Sequence, residues 1–98
     1  MTTGTQFEQL QMFATPAEIS GWNSGDRESR TMAEHVPHMD AGRIKALSVL
    51  VDADGGIDEP VELYHGPSGK TLGSGHYRAA VAMTTDRLVP VVHTHQYW

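Results

Sequence analysis

The chain has 98 residues, a formal net charge of −5 with histidines neutral, 39% hydrophobic residues and no cysteine. That length fits one small domain with a thin core, and the absence of cysteine excludes disulfides, thiolate metal sites and cysteine catalysis. Seven basic side chains against twelve acidic ones argue against a free-standing DNA binder, whose affinity comes mostly from basic side chains displacing counterions.

No apolar run is long enough for a membrane span, and "MTTGTQFEQLQMF" lacks a basic leader followed by an apolar core. A cytoplasmic location is the expectation. Further along, "TPAEISGW" opens as a helix. Thr15 is placed to cap it, Pro16 suits the first helical position, and Glu18 completes a capping box. Phe13 before the helix and Ile19 within it could form a hydrophobic staple. In "GDRESRTMAEHVPH" a short helix capped by Asp26 and stopped at Pro37 competes with a loop. Asp40 caps a clearer helix, "AGRIKALSVLV", where Ile44, Leu47, Leu50 and Val51 form one apolar stripe ended by "DADGG".

After Pro60 the period changes. Val61 and Leu63 alternate with Glu62 and Tyr64 as in a strand, "HGPSGK" is a turn, and "KTL" is a second strand of a hairpin. The helix from Gly75 to Met83 is apolar nearly all round over Ala79 to Met83, so it should be buried. "LVPVVHTH" is a last strand. The expected fold class is α+β, with a small mixed β-sheet, N-terminal helices and a buried Ala-rich helix. Residues 1–98 form a single domain in this reading, with 1–40 a helical N-terminal extension and 41–95 the core.

In their order and spacing, "IKALSVLVDADGGIDEPVEL", "LGSGHYRAAVA" and "VPVV" resemble the ParB/sulfiredoxin superfamily, the ParB N-terminal-like domain. That family runs from an apolar helix into Gly-Ile, a Pro-initiated strand, a hairpin, a Gly-rich turn, an Ala-rich helix and a Val-Pro-Val strand. The matching pieces here are Ile44 to Val51, Gly56-Ile57, Pro60 to Leu63, Gly73 to Arg78, Ala79 to Ala82, and Val89-Pro90-Val91. The resemblance spans Arg43 to about His93. It implies a sulfiredoxin-like fold, and a nucleotide phosphate held at the Gly-rich turn and the following helix start, as in members that bind CTP or ATP.

Elementary physics agrees with that implication. Unpaired N–H groups at a helix start, with the positive end of its dipole, favour an anion. Gly73 and Gly75 would let the backbone approach a phosphate, Ser74 could cap the helix, and Arg78 could pair with the phosphate bidentately. His76, the candidate catalytic residue, could donate a hydrogen bond or move a proton. The competing reading of the same residues is a tight strand-to-helix turn with a surface arginine and a capping histidine.

Departures from the family narrow the function. The turn holds Ser74, Gly75 and His76 where sulfiredoxin needs its cysteine, which excludes peroxiredoxin repair. "SGHYR" carries one arginine where chromosome-partitioning ParB has an acidic-Arg-Arg turn, which argues against CTP switching. No helix-turn-helix follows, so sequence-specific DNA binding is not expected. What remains resembles the stand-alone ParB-like proteins of bacteriophages and actinobacteria.

Other residues offer less specific chemistry. His93 and His95 form an H-x-H on a strand end, a spacing that puts both on one face. A metal would need a third ligand such as His65 or His76, and no metal is assigned. Asp52, Asp54, Asp58 and Glu59 surround a turn as a solvated cluster, with Mg2+ conceivable only beside a bound phosphate. Trp22, Tyr97 and Trp98 are aromatics for either the core or a protein interface. Two functions stay open. One is binding of a nucleotide (with Mg2+ at most) or other phosphate ligand at Gly73–Arg78, with turnover open between none and a phosphohydrolase or nuclease-like activity. The other is a catalytically silent module that grips a protein partner or a second copy.

Overall fold

The computed structural model describes residues 13–67 and 69–95. In chain order it contains β1 (Phe13–Ala14), α1 (Pro16–Ser20), α2 (Met32–His35) continued by a 3-10 turn (Val36–His38), α3 (Ala41–Asp54), β2 (Val61–Gly66), β3 (Gly69–Ser74), α4 (His76–Thr85) and β4 (Val89–His95). The four strands form one mixed sheet in the order β1-β4-β2-β3. The two outer pairings are antiparallel, and β2 runs parallel to β4. The fold is α+β, and among the described residues no helix is long and apolar enough to cross a membrane.

Alternation along the strands builds the core. Val61, Leu63, Leu72, Val89 and Val91 are buried, and so is the run Ala79 to Ala82 of α4. Three alanines in that run keep α4 thin, so it can bury all its neighbours' contacts at short range. The alternate sheet positions are open, with Val92 47% and Phe13 51% exposed.

Local signals place the helix starts. The Thr15 hydroxyl accepts from the Glu18 N–H, while Glu18 Oε1 accepts from the Thr15 N–H at 2.9 Å. Asp40 accepts from the N–H groups of Gly42 and Arg43 and so caps α3. The staple does not form. Phe13 lies in β1 opposite Pro90, which leaves its ring half exposed, and Ala14 takes the core position.

Two further expectations are corrected. Asp26 does not cap a helix, because a second capping box, Thr31 with Glu34, starts α2 five residues later. The α3 stripe is also narrower than its spacing implies. Val51 is buried and Ile44 and Leu47 are half-buried, but Leu50 is 62% exposed. One residue is about 100° of helix rotation, which carries Leu50 off the arc that α4 covers.

Residues 13–40 share the core with the rest of the chain. Ala14, Ile19, Trp22 and Met32 belong to the same buried cluster as Val61, Leu63, Leu72 and Val91. Trp22 is therefore a core residue rather than an interface anchor; Tyr97 and Trp98 lie outside the described residues. After Trp22 the chain pairs with the outer edge of β3. The Asn23 N–H donates to the Lys70 carbonyl at 2.9 Å, and the Asn23 carbonyl accepts from Leu72 at 2.8 Å. This covers an edge that would otherwise invite intermolecular pairing. Truncating Ile19 to alanine should cost about 2–5 kcal/mol, seen in urea unfolding as a single earlier transition. A loss below about 1 kcal/mol, the range of a surface change, would make the N-terminal segment separable from the core.

Candidate functional site

The start of α4 gathers most of the residues singled out by the sequence. Gly75 is the N-cap, in the left-handed region at φ 87°, and no side chain among the described residues caps the first turn. A Cβ on Gly75 would stand 2.7 Å from Val61 Cγ1 and 3.0 Å from Arg78 Nη2, so both backbone and packing call for glycine. Ser74 does not cap. It is still extended in β3, and its hydroxyl donates to Glu62 Oε1 at 3.4 Å. Gly73 also belongs to β3, at the irregular register between Glu62 and Leu63. A Cβ there would lie 2.0 Å from the Tyr64 ring. The space left by its missing side chain is filled by that ring.

His76, Tyr77 and Arg78 form the first turn and radiate to three different anchors. The His76 Nε2–H donates to the Ser24 carbonyl at 2.6 Å. A carbonyl only accepts, so the proton sits on Nε2 and Nδ1 is left for other chemistry. The Tyr77 hydroxyl accepts from the Asp40 N–H at 3.1 Å, and the Arg43 guanidinium lies 4.2 Å over its ring. Arg78 donates through Nη1 to Glu59 Oε1 at 3.2 Å. Its Nε is buried and has no hydrogen-bond partner among the described residues. Leu47, Glu59, Gly75, His76, Tyr77 and Arg78 line a cavity of about 450 Å³.

Comparisons with family models, curated proteins and solved structures find no match for this chain.

Beside His76 lies a second group that sequence reasoning missed. Asp26 accepts from the Arg30 N–H at 2.9 Å, from Arg30 Nη1 at 3.0 Å and from His35 Nδ1 at 3.1 Å. The His35 and His76 rings stand edge to face with centres 6.0 Å apart. The Arg30 backbone N–H, then the Arg30 guanidinium and His35, hold the Asp26 carboxyl down at about 2 against an ordinary 3.8, with desolvation opposing them. The usable signal was Thr31-x-x-Glu34. It fixes the start of α2 and frees Asp26 from capping.

The other candidates separate from this centre. His65 Nε2 and His93 Nδ1 are 2.7 Å apart, with His93 buried at the end of the core face. The His95 backbone is the register partner of His65. Among the described residues no group of three or more His, Asp or Glu is arranged to hold a metal. Of the acidic cluster, Asp52 pairs with Arg87 and Glu59 with Arg78.

Two outcomes follow. Because the Asp26 carboxyl is depressed on folding, its stabilisation is fully present above its ordinary 3.8 and is lost as pH falls through about 2. The stability gap between wild type and Asp26→Asn in urea should therefore hold above pH 4 and close towards pH 2. At Gly73, alanine should destabilise the wild type and be nearly neutral in a Tyr64→Ala background. A double-mutant cycle by denaturation gives that coupling.

Proposed function

We propose that this chain is a small ParB/sulfiredoxin-like domain that binds a nucleotide or another phosphate-bearing ligand at the start of α4. The observation that carries the reading is the first turn of a ten-residue helix, uncapped by any described side chain, beside Arg78, whose buried Nε has no partner among the described residues. Backbone N–H groups and the helix dipole supply a positive mouth, and a guanidinium within reach offers paired donors that match phosphate oxygens. Gly75 lets Val61 and Arg78 pack against the cap, while Leu47 and Tyr77 give the cavity apolar walls. Gly73 and Ser74 act one step removed, by shaping β3.

Glu59 defines how the ligand enters. Its carboxylate holds Arg78 in the free site and is 81% exposed. An exposed pair of this kind is worth less than about 1 kcal/mol, so a phosphate can take over the guanidinium at small cost. On this reading Arg78 and the first-turn backbone bind, and His76, in the imidazolium form that carries a proton on both ring nitrogens, is the proton donor through Nδ1. The order of the elements, from α3 through the β2–β3 hairpin and α4 to β4, supports the resemblance seen in the sequence.

The test is a thermal-shift panel of CTP, ATP, GTP and short single-stranded DNA, with and without Mg2+, on wild type and Arg78→Ala. A ligand at a hundred times its Kd adds about 2.7 kcal/mol, a shift of roughly ten degrees or more in a domain this small. Stabilisation by a nucleotide that is lost in a folded Arg78→Ala is the expected result. A flat panel would discard the phosphate reading and leave a protein-binding module.

A further inference from the structure

We propose that the outer face of α3 is a docking surface for a second copy of this chain, the two α3 helices packing antiparallel across a two-fold axis near Val49. The proposal is independent of any ligand at α4.

At about 100° of rotation per residue, Gly42, Ala46, Val49, Leu50 and Ala53 fall on one arc of α3. All five are exposed, Val49 by 61% and Leu50 by 62%. The arc carries no charge and no polar side chain. The opposite arc, with Ile44, Leu47, Ser48 and Val51, is the one turned to the body of the protein, where α3 packs on α4. A helix that is apolar on both sides calls for a cover on both.

The charges name the occupant. Arg43 and Lys45 lie near the start of α3, and Asp52 and Asp54 near its end. In a lone helix this order is unfavourable, because the dipole prefers acidic groups at the start and basic groups at the end. Beside a second α3 running the other way, charges and dipoles both match. The match holds flank by flank. Lys45 and Asp52 border the apolar arc on one side, Arg43 and Asp54 on the other. A two-fold axis brings each flank against the same flank of the other copy, reversed in direction. Lys45 then meets Asp52 of the second copy, and Arg43 meets Asp54. The same axis sets Val49 against its own copy and Ala46 against Leu50 and Ala53, so small side chains leave room for large ones. A parallel pair would set like charge against like.

The charged groups are open to this use. Among the described residues Arg43, Lys45 and Asp54 have no ion-pair partner, and Asp52 holds Arg87 through one oxygen. The fourteen residues of α3 make a helix about 21 Å long. Its face falls short of a standard stable interface, so the association is weak and reversible.

The experiment is sedimentation equilibrium of the full chain from about 10 μM to 1 mM. It compares wild type, Leu50→Lys, Asp54→Lys and the double exchange Arg43→Glu with Asp54→Lys. Wild type should show a monomer–dimer equilibrium. Leu50→Lys and Asp54→Lys should each raise the Kd by about tenfold or more, and the double exchange should return it to within a few-fold of wild type. Asp54→Lys should also keep or raise the melting temperature of dilute protein, since a cation at the helix end suits the dipole. Poor folding then does not account for its weaker association. Helix direction is read by mixing Ala46→Cys with nitrogen-15-labelled Ala53→Cys under mild oxidation, in a chain with no other cysteine. Mass spectrometry should show the mixed disulfide dominating. Like-linked dimers in its place would mean parallel helices and overturn the pairing. A wild type that stays monomeric throughout, or a dimer indifferent to Leu50→Lys, would overturn the surface itself.

Discussion

Two consecutive residues fasten the first third of the described chain to everything after it. Asn23 continues the sheet by pairing its backbone with Lys70 and Leu72, and the Ser24 carbonyl receives the His76 imidazole. Neither tie uses a special side chain from the N-terminal segment; both use backbone groups that burial obliges to find partners. Once they form, Trp22 on one side and Met32 on the other drop into the core. The Ser24–Arg30 loop then closes on itself through Ser24, Asp26 and Arg30. The position of α2, and with it His35, depends on that closure.

The charges near α4 are arranged unevenly. On the Asp26 side, a carboxylate is saturated with donors and part-buried, so it is fixed in both place and protonation. On the Arg78 side, the partner is an exposed glutamate at the end of a flexible stem. Saturated groups hold a shape; exposed pairs exchange partners readily. The cavity at the start of α4 is bordered by the labile pair, while the saturated Asp26 holds the neighbouring 24–35 segment in shape.

Much of the local structure was legible in the sequence because its causes are local. Thr15 with Glu18, Asp40 before α3, and the alternation from Val61 to Tyr64 each act within four residues. The misreadings share a different cause. Phe13 leaves its staple because Pro90 and Val89 offer a strand to pair with, a contact that no window around Phe13 contains. Leu50 belongs to an apolar stripe by spacing, yet α4 is too narrow to cover it. Gly73 looked like room for a ligand until Tyr64 was placed across the hairpin. The Asp26–His35 pair was hidden because its orientation toward His76 is set by the Asn23–Ser24 ties, which are non-local.

β4 is the strand that both β1 and β2 hydrogen-bond, yet it is the last of the four to be made. A ribosome therefore delivers the two outer portions of the sheet before the piece that joins them. Until Val89–His95 emerges, the inner edge of the β2–β3 hairpin lies unpaired, and a lone hairpin has little stability in water. Closing the sheet then requires contacts as distant in sequence as Phe13 with Pro90, and such closures are slow. The nascent chain carries an open strand edge from the completion of β2 at Gly66 until β4 is made. Late closure of the whole sheet, rather than stepwise folding from the N-terminus, is the route this topology favours.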